Sequence, residues 1–254
     1  MGNREKLSVV IITKDEEENI EEALSSVSFA DEIVVVDALS SDRTVEIARR
    51  FTDKVFLREW KGYVEQKNFA LAKARFPWVL SLDADERVTP ELAREIEEVL
   101  SARDKADGYF IPRRVFYLGR WIRYGGWYPD YQLRLARREK ARFVGGSVHE
   151  VMRVEGKTER LSSFLLHFTY KDITEHIERM NLYTSLVAFD RKKEGRRPSL
   201  LKLIFSPPLS FIKGYIIKLG FLDGIPGFII AFLSSCYTFL KEAKLFELYR
   251  SEKD

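Results

Sequence analysis

The chain has 254 residues, 45% of them apolar and 32% charged, and its 42 Lys and Arg outweigh its 39 Asp and Glu by only +3. That composition belongs to a globular protein with one large domain or a domain plus an appendage, not to a disordered segment, and so slight a positive excess gives no footing for nucleic-acid binding. A single cysteine, Cys236, excludes an internal disulfide or a thiolate metal cluster and suits a reducing compartment.

The N-terminus, "MGNREKLSVVIIT", has an apolar run of about five residues, too short for a signal peptide. "LSVVIIT" (7–13) is a β-branched run that predicts a buried strand. In 17–30, Ile20, Ala23, Leu24 and Val27 have helical spacing. "DEIVVVDA" (31–38) predicts a second strand ending in Asp37. "SDRTVEIARRF" (41–51) predicts a helix capped at Ser41 or Asp42. A third strand (54–60), a third helix (62–74) and a fourth strand (78–85) follow. Thr89 is a natural N-cap and Pro90 suits a first helical turn, so a helix continues through Leu100.

Strand–helix alternation with short links predicts a mostly parallel sheet covered by helices, an α/β fold. Ligands of such sheets bind outside the carboxyl ends of the strands. Three of these strands end in polar residues, at Thr13-Lys14-Asp15-Glu16, at Asp37 and at Asp83-Ala84-Asp85. From about residue 107 the chain is rich in aromatics, Arg and Gly, as short strands and long loops around a site would be. Residues 172–194 predict a helix with an apolar face of Ile173, Ile177, Met180, Leu182, Tyr183, Leu186, Val187 and Phe189. The tail from Pro198 is apolar but punctuated by lysines. Its longest uncharged part, Gly224 to Leu240, has 17 residues and would span roughly 25 Å as a helix, short of a ~30 Å hydrocarbon core. Pro207-Pro208, Gly224 and Pro226 are expected to break it into pieces lying in a membrane interface. The competing reading is a helical appendage buried against the domain or a second copy.

Asp83 and Asp85 lie two residues apart beyond a buried strand, where a pair of carboxylates can face one Mg²⁺ or Mn²⁺ ion and a diphosphate. The plain alternative is a polar loop before a helix, and a bare D-x-D is weak on its own. Asp37 can accept from a nucleobase or ribose, or simply close an Asx-turn ahead of "SSDRT". Lys67 could reach a phosphate or base carbonyl, or be solvated, and Glu16 could be no more than an acid in a helix's first turn.

Taken as a set, "SVVIITKDEEENIEEAL", "EIVVVDALSSDRT", "QKNFALAKA" and "WVLSLDADERV" resemble the family 2 inverting glycosyltransferases of GT-A fold. The later "GGWYPDYQLRLARR", "GGSVHE", "GFLDGIPGFIIAF" and "FLKEAKL" resemble the subgroup that includes lipopolysaccharide core β-1,4-glucosyltransferases. The resemblance implies that Asp37 holds the nucleotide base and that Asp83 and Asp85 hold metal and diphosphate, with Thr13, Glu16 and Lys67 lining the nucleotide pocket. Two departures stand out: Ala38-Leu39 occupies a turn that the family usually makes small and Gly/Ser-rich, and Asp15-Glu16 replaces a common Asn-Glu. Inverting transfer needs a general base for the acceptor hydroxyl. Asp130, in "DYQLR", resembles the family's acidic motif followed by Leu and Arg, and Glu150 beside His149 is the alternative. Arg134, Trp127 and His149 are candidates for acceptor or phosphate contacts.

The expected protein is therefore a metal-dependent inverting hexosyltransferase. It would move a hexose, with glucose the leading choice, from a UDP-sugar to a membrane-linked glycan such as lipopolysaccharide core, with no nucleic-acid partner. It would be cytoplasmic and peripheral on the inner face of the cytoplasmic membrane. Residues 1–170 would form the catalytic domain, with a nucleotide-sugar half at 7–106 and an acceptor half at 107–170. Residues 171–254 would form a helical, membrane-associating appendage. The rivals are a sugar-nucleotide nucleotidyltransferase, disfavoured by the acidic, glycine-free segment after the first strand, and an inactive membrane-docked scaffold of the same fold.

Overall fold

The runs "LSVVIIT", "EIVVVD" and "WVLSLD" form the strands they predict, buried on both faces, and the segments between the strands form helices. The computed structural model describes residues 4–146 and 150–251. Its elements run β1 (Leu7–Thr13), α1 (Ile20–Ser25), β2 (Glu32–Asp37), α2 (Thr44–Ala48), β3 (Val55–Leu57), α3 (Tyr63–Lys73), β4 (Trp78–Asp83), β5 (Glu86–Val88), α4 (Pro90–Ser101), β6 (Gly108–Tyr117), β7 (Arg120–Trp121), β8 (Asp130–Arg137), β9 (Ala141–Gly145), β10 (Glu150–Val154), β11 (Thr158–Arg160), β12 (Leu165–Phe168), α5 (Ile173–Lys193), α6 (Leu200–Ile212) and α7 (Gly224–Arg250). Two compact units share them. The first takes residues 4–113, 131–145 and 150–167, and the second takes 114–130, 146 and 168–251.

In the first unit β3, β2, β1 and β4 are parallel neighbours, with Thr13 opposite Asp37 and Ile12 opposite Asp83. Beyond β4 the sheet turns mixed: β8 runs antiparallel to β4, and β6, β12 and β5 complete the path, with β12 antiparallel to β5. Strands β9 and β10 form a separate antiparallel pair. Alternate residues feed two apolar layers, as pleating requires. Leu7, Val9 and Ile11 face Ile20, Leu24, Leu92, Ile96 and Leu100 of the helices on one side, while Val10, Val34 and Val36 face Ala70 and Leu71 of α3 on the other. Helix α4 begins where its cap predicts: the Thr89 side chain accepts from Leu92 N at 3.2 Å and Pro90 opens the first turn. Glu86–Val88, between the expected fourth strand and the helix cap, is a short strand that pairs with Leu165–His167.

In the second unit α5 is capped by Asp172, which accepts from Glu175 N at 2.8 Å. Its buried stripe is His176, Met180, Thr184 and Ala188, whereas Ile173, Ile177, Leu182 and Phe189 of the expected apolar face are exposed. The tail also departs from expectation. Pro207-Pro208 does not interrupt α6, although an interior proline forfeits a helical hydrogen bond and crowds the carbonyl four residues back. The helix instead ends in a π turn at 213–217 and a reversal at Leu219, whose φ is +58°. Gly224 and Pro226 lie in the first turn of α7, where neither breaks a helix, so α7 runs unbroken for 27 residues. Leu200–Ile217 and Gly220–Arg250 are long and apolar enough to cross a membrane by length and composition. No α6 residue is buried. Leu200, Leu201, Ile204, Phe205 and Leu209 of α6 and Ile225, Phe228 and Phe232 of α7 all stand open, an apolar expanse that water-soluble surfaces rarely carry. The C-terminal helices thus have the character of a membrane-associating appendage.

Candidate active site

The parallel strands deliver three of the expected residues to one sheet edge, since Thr13 and Asp37 are register partners and Asp83 ends the next strand over. Asp37 is fully buried and closes its own turn. Its Oδ1 accepts from Ser40 N at 2.8 Å and its Oδ2 from Ser40 Oγ at 2.5 Å. Thr13 is 5% exposed, and its Oγ1 is buried without a partner among the described residues. The loops after β1 and β2 interlock. Asp15 Oδ1 accepts from Ser41 N at 2.7 Å, Ser40 Oγ accepts from Asp15 N at 2.8 Å, and Thr44 Oγ1 accepts from Glu16 N at 2.8 Å. Glu16 Oε2 accepts from Asn19 Nδ2 at 2.8 Å. Asp15 and Leu39 both sit at positive φ, +52° and +58°, in these two loops, a conformation costly for side chains with a Cβ.

The turn after β4 is held from every side. Asp83 N donates to Glu86 Oε2 at 3.0 Å. Arg87 donates to Ala84 O at 3.0 Å and pairs with Glu22 at 3.2 Å, tying the turn to α1. The Asp83 carboxylate pairs with Lys67 at 2.9 Å and with Arg134. Lys67 in turn reaches Glu150 at 2.8 Å, and Arg134 reaches Glu86 at 2.7 Å. Burial opposes the charge on Asp83, yet Arg134 and then Lys67 outweigh it and hold its carboxyl well below the usual carboxylate range. Burial likewise works against the Arg134 guanidinium, and Asp83 and Glu86 raise its pKa above the ordinary arginine value. Asp85 has a different partner, since its Oδ2 lies 3.3 Å from His167 Nε2. His167 Nδ1 is buried with no partner among the described residues.

The sequence profile of Glycosyl transferase family 2 matches residues 8–154. The chain is 34% identical to the lipopolysaccharide core biosynthesis glycosyltransferase LpsC of Rhizobium meliloti, over 95% of this chain and 92% of that one. The chain belongs to glycosyltransferase family 2. A glycosyltransferase of Rickettsia typhi is 32% identical over 96% of this chain and 87% of its own length. Among solved structures, the mannosyltransferase PcManGT of Pyrobaculum calidifontis, in complex with GDP-Man and Mn²⁺, superposes with a TM-score of 0.57 at 15% identity, covering 96% of this chain and 87% of that one. The fold is thus GT-A, and the protein is a glycosyltransferase.

In this family 2 glycosyltransferase Thr13, Glu16, Asp37, Lys67, Asp83, Asp85, Arg134 and Glu150 all fall in the first unit, and Asp130 and Trp127 in the second. His149 lies outside the described residues. Asp83 is not the open carboxylate expected at a metal, because two cations already occupy it. Arg134, expected at a phosphate or acceptor, is 5% exposed and committed to Asp83 and Glu86. Arg137, on the same strand, is turned by the pleat to Glu5 at 3.3 Å. Trp127 packs on Tyr117 and His176, at centroid distances of 5.6 and 6.1 Å, inside an apolar cluster. Asp130 opens β8. Sequence reasoning assigns no role to Glu86, but it is fully buried and braces both Arg134 and Arg113. It also passed over His167, whose signal was a lone ionisable ring in the greasy run "FLLHF".

Proposed function

We propose that the protein transfers a hexose from a UDP-sugar to a membrane-linked glycan, with inversion, in lipopolysaccharide core assembly or a closely related pathway. The observation that carries this reading is the division of labour in the D-x-D. Asp83 is neutralised by Lys67 and Arg134, while Asp85 faces His167. The Asp85 carboxylate suits Mn²⁺ or Mg²⁺, and the neighbouring imidazole would favour Mn²⁺ over the harder Mg²⁺, with the rest of the sphere left to diphosphate oxygens and water. His167 Nε2 lies 3.3 Å from Asp85 Oδ2, so the two groups are side by side, as ligands of one ion would be. The ion, when bound, would neutralise the leaving diphosphate. Asp83, fixed by its two cations, would orient the donor's ribose or sugar. Asp37 and the unpartnered Thr13 hydroxyl would receive the base.

Asp130 is assigned as the base that takes the acceptor proton in a single displacement. Glu150 is the weaker candidate, because its carboxylate is already engaged by Lys67 at 2.8 Å. Asp130 and Trp127 share a compact unit with the exposed apolar helices α6 and α7. That arrangement suits an acceptor that stays in a bilayer and an enzyme peripheral on the cytoplasmic face. The LpsC relative is named for lipopolysaccharide core biosynthesis, which supports the choice of acceptor. Calorimetry of UDP with and without Mn²⁺ tests the donor half. UDP binding should strengthen with Mn²⁺, and Asp85→Asn should remove that increment. Equal UDP binding with and without metal would refute metal-assisted donor binding.

A further inference from the structure

Residues 220–223, "GFLD", lie between the π turn that ends α6 and the start of α7. Asp223 stands just ahead of α7, where an aspartate ordinarily caps a helix, yet its carboxylate makes no cap bond. It is 1% exposed and is directed instead to the loop that precedes β8. Its Oδ2 accepts from Arg123 N at 3.1 Å and from Tyr124 N at 2.8 Å. Arg120 donates to Asp223 O at 2.8 Å and lies 3.7 Å from Oδ1. A buried carboxylate is costly unless donors and a cation meet it, and here the loop supplies both. The next residue of the loop, Gly125, donates from its N to Lys218 O at 2.9 Å. The two backbones meet directly: a Cβ on Gly220 would lie 2.7 Å from Gly214 O and 3.4 Å from Gly125 Cα. Two residues further on, Trp127 packs, as Ile229 of α7 does, against the cluster of Tyr117, Ile122 and Ile230. The loop is thus pinned by its backbone at 123–125 and by a ring at 127. Only Tyr128 and Pro129 lie between the last pin and Asp130. Residues 114–130 accordingly fall in the same compact unit as the C-terminal helices.

We propose that Asp223 is a positioning residue for the transfer reaction: by fixing the backbone at Arg123 and Tyr124, it sets where Asp130 stands relative to the acceptor hydroxyl. The inference rests on Asp130 being the base. A base must lie within hydrogen-bond reach of the proton it takes, and a misplacement of about 1 Å can cost about 10²-fold in rate. Asp223, itself closed to solvent, acts through the loop and not on the substrate. The C-terminal helices therefore help to build the acceptor side as well as forming the appendage.

Transfer from UDP-glucose to a truncated lipopolysaccharide core in detergent micelles, catalysed by the full-length protein, provides the test. Asp223→Ala removes the acceptor of both loop N–H groups and should lower kcat about 10- to 100-fold, with the KM for UDP-glucose unchanged. Asp223→Asn keeps one oxygen for Tyr124 N and should lose less, but still measurably. The deciding measurement is the double variant with Asp130→Asn. Once the base is gone Asp223 has nothing left to position, so Asp223→Ala with Asp130→Asn should be no slower than Asp130→Asn alone. A merely structural residue would slow the Asp130→Asn enzyme by the same factor as the unmodified one, and that outcome overturns the proposal. An unchanged kcat in Asp223→Ala overturns it as well, as does a loss confined to the KM for UDP-glucose. Near-normal transfer by Asp130→Asn alone is a different pattern, and it would refute the base and the positioning role together. Where Asp223→Ala fails to fold, Asp223→Asn goes through the same cycle and is read in the same way.

Discussion

The two units treat charge and apolar surface in opposite ways. In the first, ionised groups are taken out of water and paired: Glu86 is fully buried, Lys67 and Arg134 nearly so, and each has a fixed partner. In the second, the apolar side chains of α6 and α7 are left in the open while a few polar groups, His176 and Asp223, are buried beneath. Asp223 illustrates the second pattern. It accepts from Arg123 N and Tyr124 N at 3.1 and 2.8 Å, bolting the start of α7 to the loop that leads toward Trp127. Fixed charges are what a polyanionic donor requires, because dipoles that need not reorganise stabilise a leaving diphosphate most. Open apolar helices are what a bilayer requires, because the chain itself leaves them uncovered. The contrast therefore predicts that damage to the first unit is electrostatic and damage to the second is a matter of phase and packing.

The largest effect tests the assignment of chemistry to the second unit. Asp130→Asn should lower transfer by about 10²- to 10⁴-fold, the range of general-base catalysis, while calorimetry shows UDP binding unchanged. Transfer near the unmodified rate would move the base to Glu150. The next effect tests the buried charges. Arg134→Met leaves Asp83 and Glu86 without their common partner and should cost about 3–5 kcal/mol in urea unfolding, the usual penalty for stranding a buried charge. A loss below about 1 kcal/mol would place the cluster in a far wetter setting than its burial indicates.

Acid should separate the units. His176 is buried against Tyr117, Tyr170 and Trp127, and its Nδ1 lies 2.8 Å from the Tyr117 hydroxyl. Burial pushes its pKa down from 6.5 to about 4 and that of Tyr117 up to about 12, so the phenol donates and the imidazole accepts. The folded pKa is depressed. The unit is therefore fully stable above pH 6.5 and loses stability as pH falls toward 4, by at most about 3 kcal/mol. Asp83 also has a depressed pKa, but its contribution is complete above the ordinary Asp value of 3.8 and is lost only as pH falls below it. Peptide-resolved hydrogen exchange between pH 7 and 4.5 should show α5 loosening before β4. His176→Phe should flatten that dependence in α5, and simultaneous loosening of both elements would break the comparison. A smaller effect follows from the metal assignment. His167→Asn should weaken Mn²⁺ binding in the presence of UDP by at least the roughly 10- to 100-fold that even an outer-shell partner is worth, measured by titration calorimetry.

How much of this was legible in the sequence differs by unit for the same physical reason. Strands buried on both faces announce themselves as unbroken β-branched runs, so "LSVVIIT", "EIVVVD" and "WVLSLD" disclosed the parallel sheet and the edge where Thr13, Asp37 and Asp83 line up. The cap at Thr89 was equally plain. The ion pairs of Asp83 were not, because Lys67 and Arg134 arrive from α3 and β8, and nothing local to "DAD" encodes partners 16 and 51 residues away. His167 was hidden in the same manner, reaching Asp85 across 82 residues through the pairing of β12 with β5. In the second unit apolar periodicity misled. On α5 the apolar residues are partly outside, and the stripe that packs includes His176 and Thr184. Periodicity marks the core only when apolar residues have nowhere better to go than inward, and on α5 Ile173, Ile177, Leu182 and Phe189 stay outside.

Leu39 gives the mildest test, and it joins sequence to site. The turn after Asp37 is one the family usually makes with small residues; here Leu39 occupies it at φ +58° with its side chain 52% exposed. A left-handed leucine is strained by about 1–2 kcal/mol, and its exposed side chain recovers little by burial. If the interlocked loops of Asp15, Ser40 and Ser41 impose that conformation, Leu39→Gly relieves strain without moving the backbone. Thermal stability should then rise by about 1 kcal/mol, and UDP affinity should hold or improve slightly. A gain in stability joined to a loss of UDP affinity would mean that the leucine side chain itself contacts the donor, and the departure from the family's small turn would then mark donor selection and not drift.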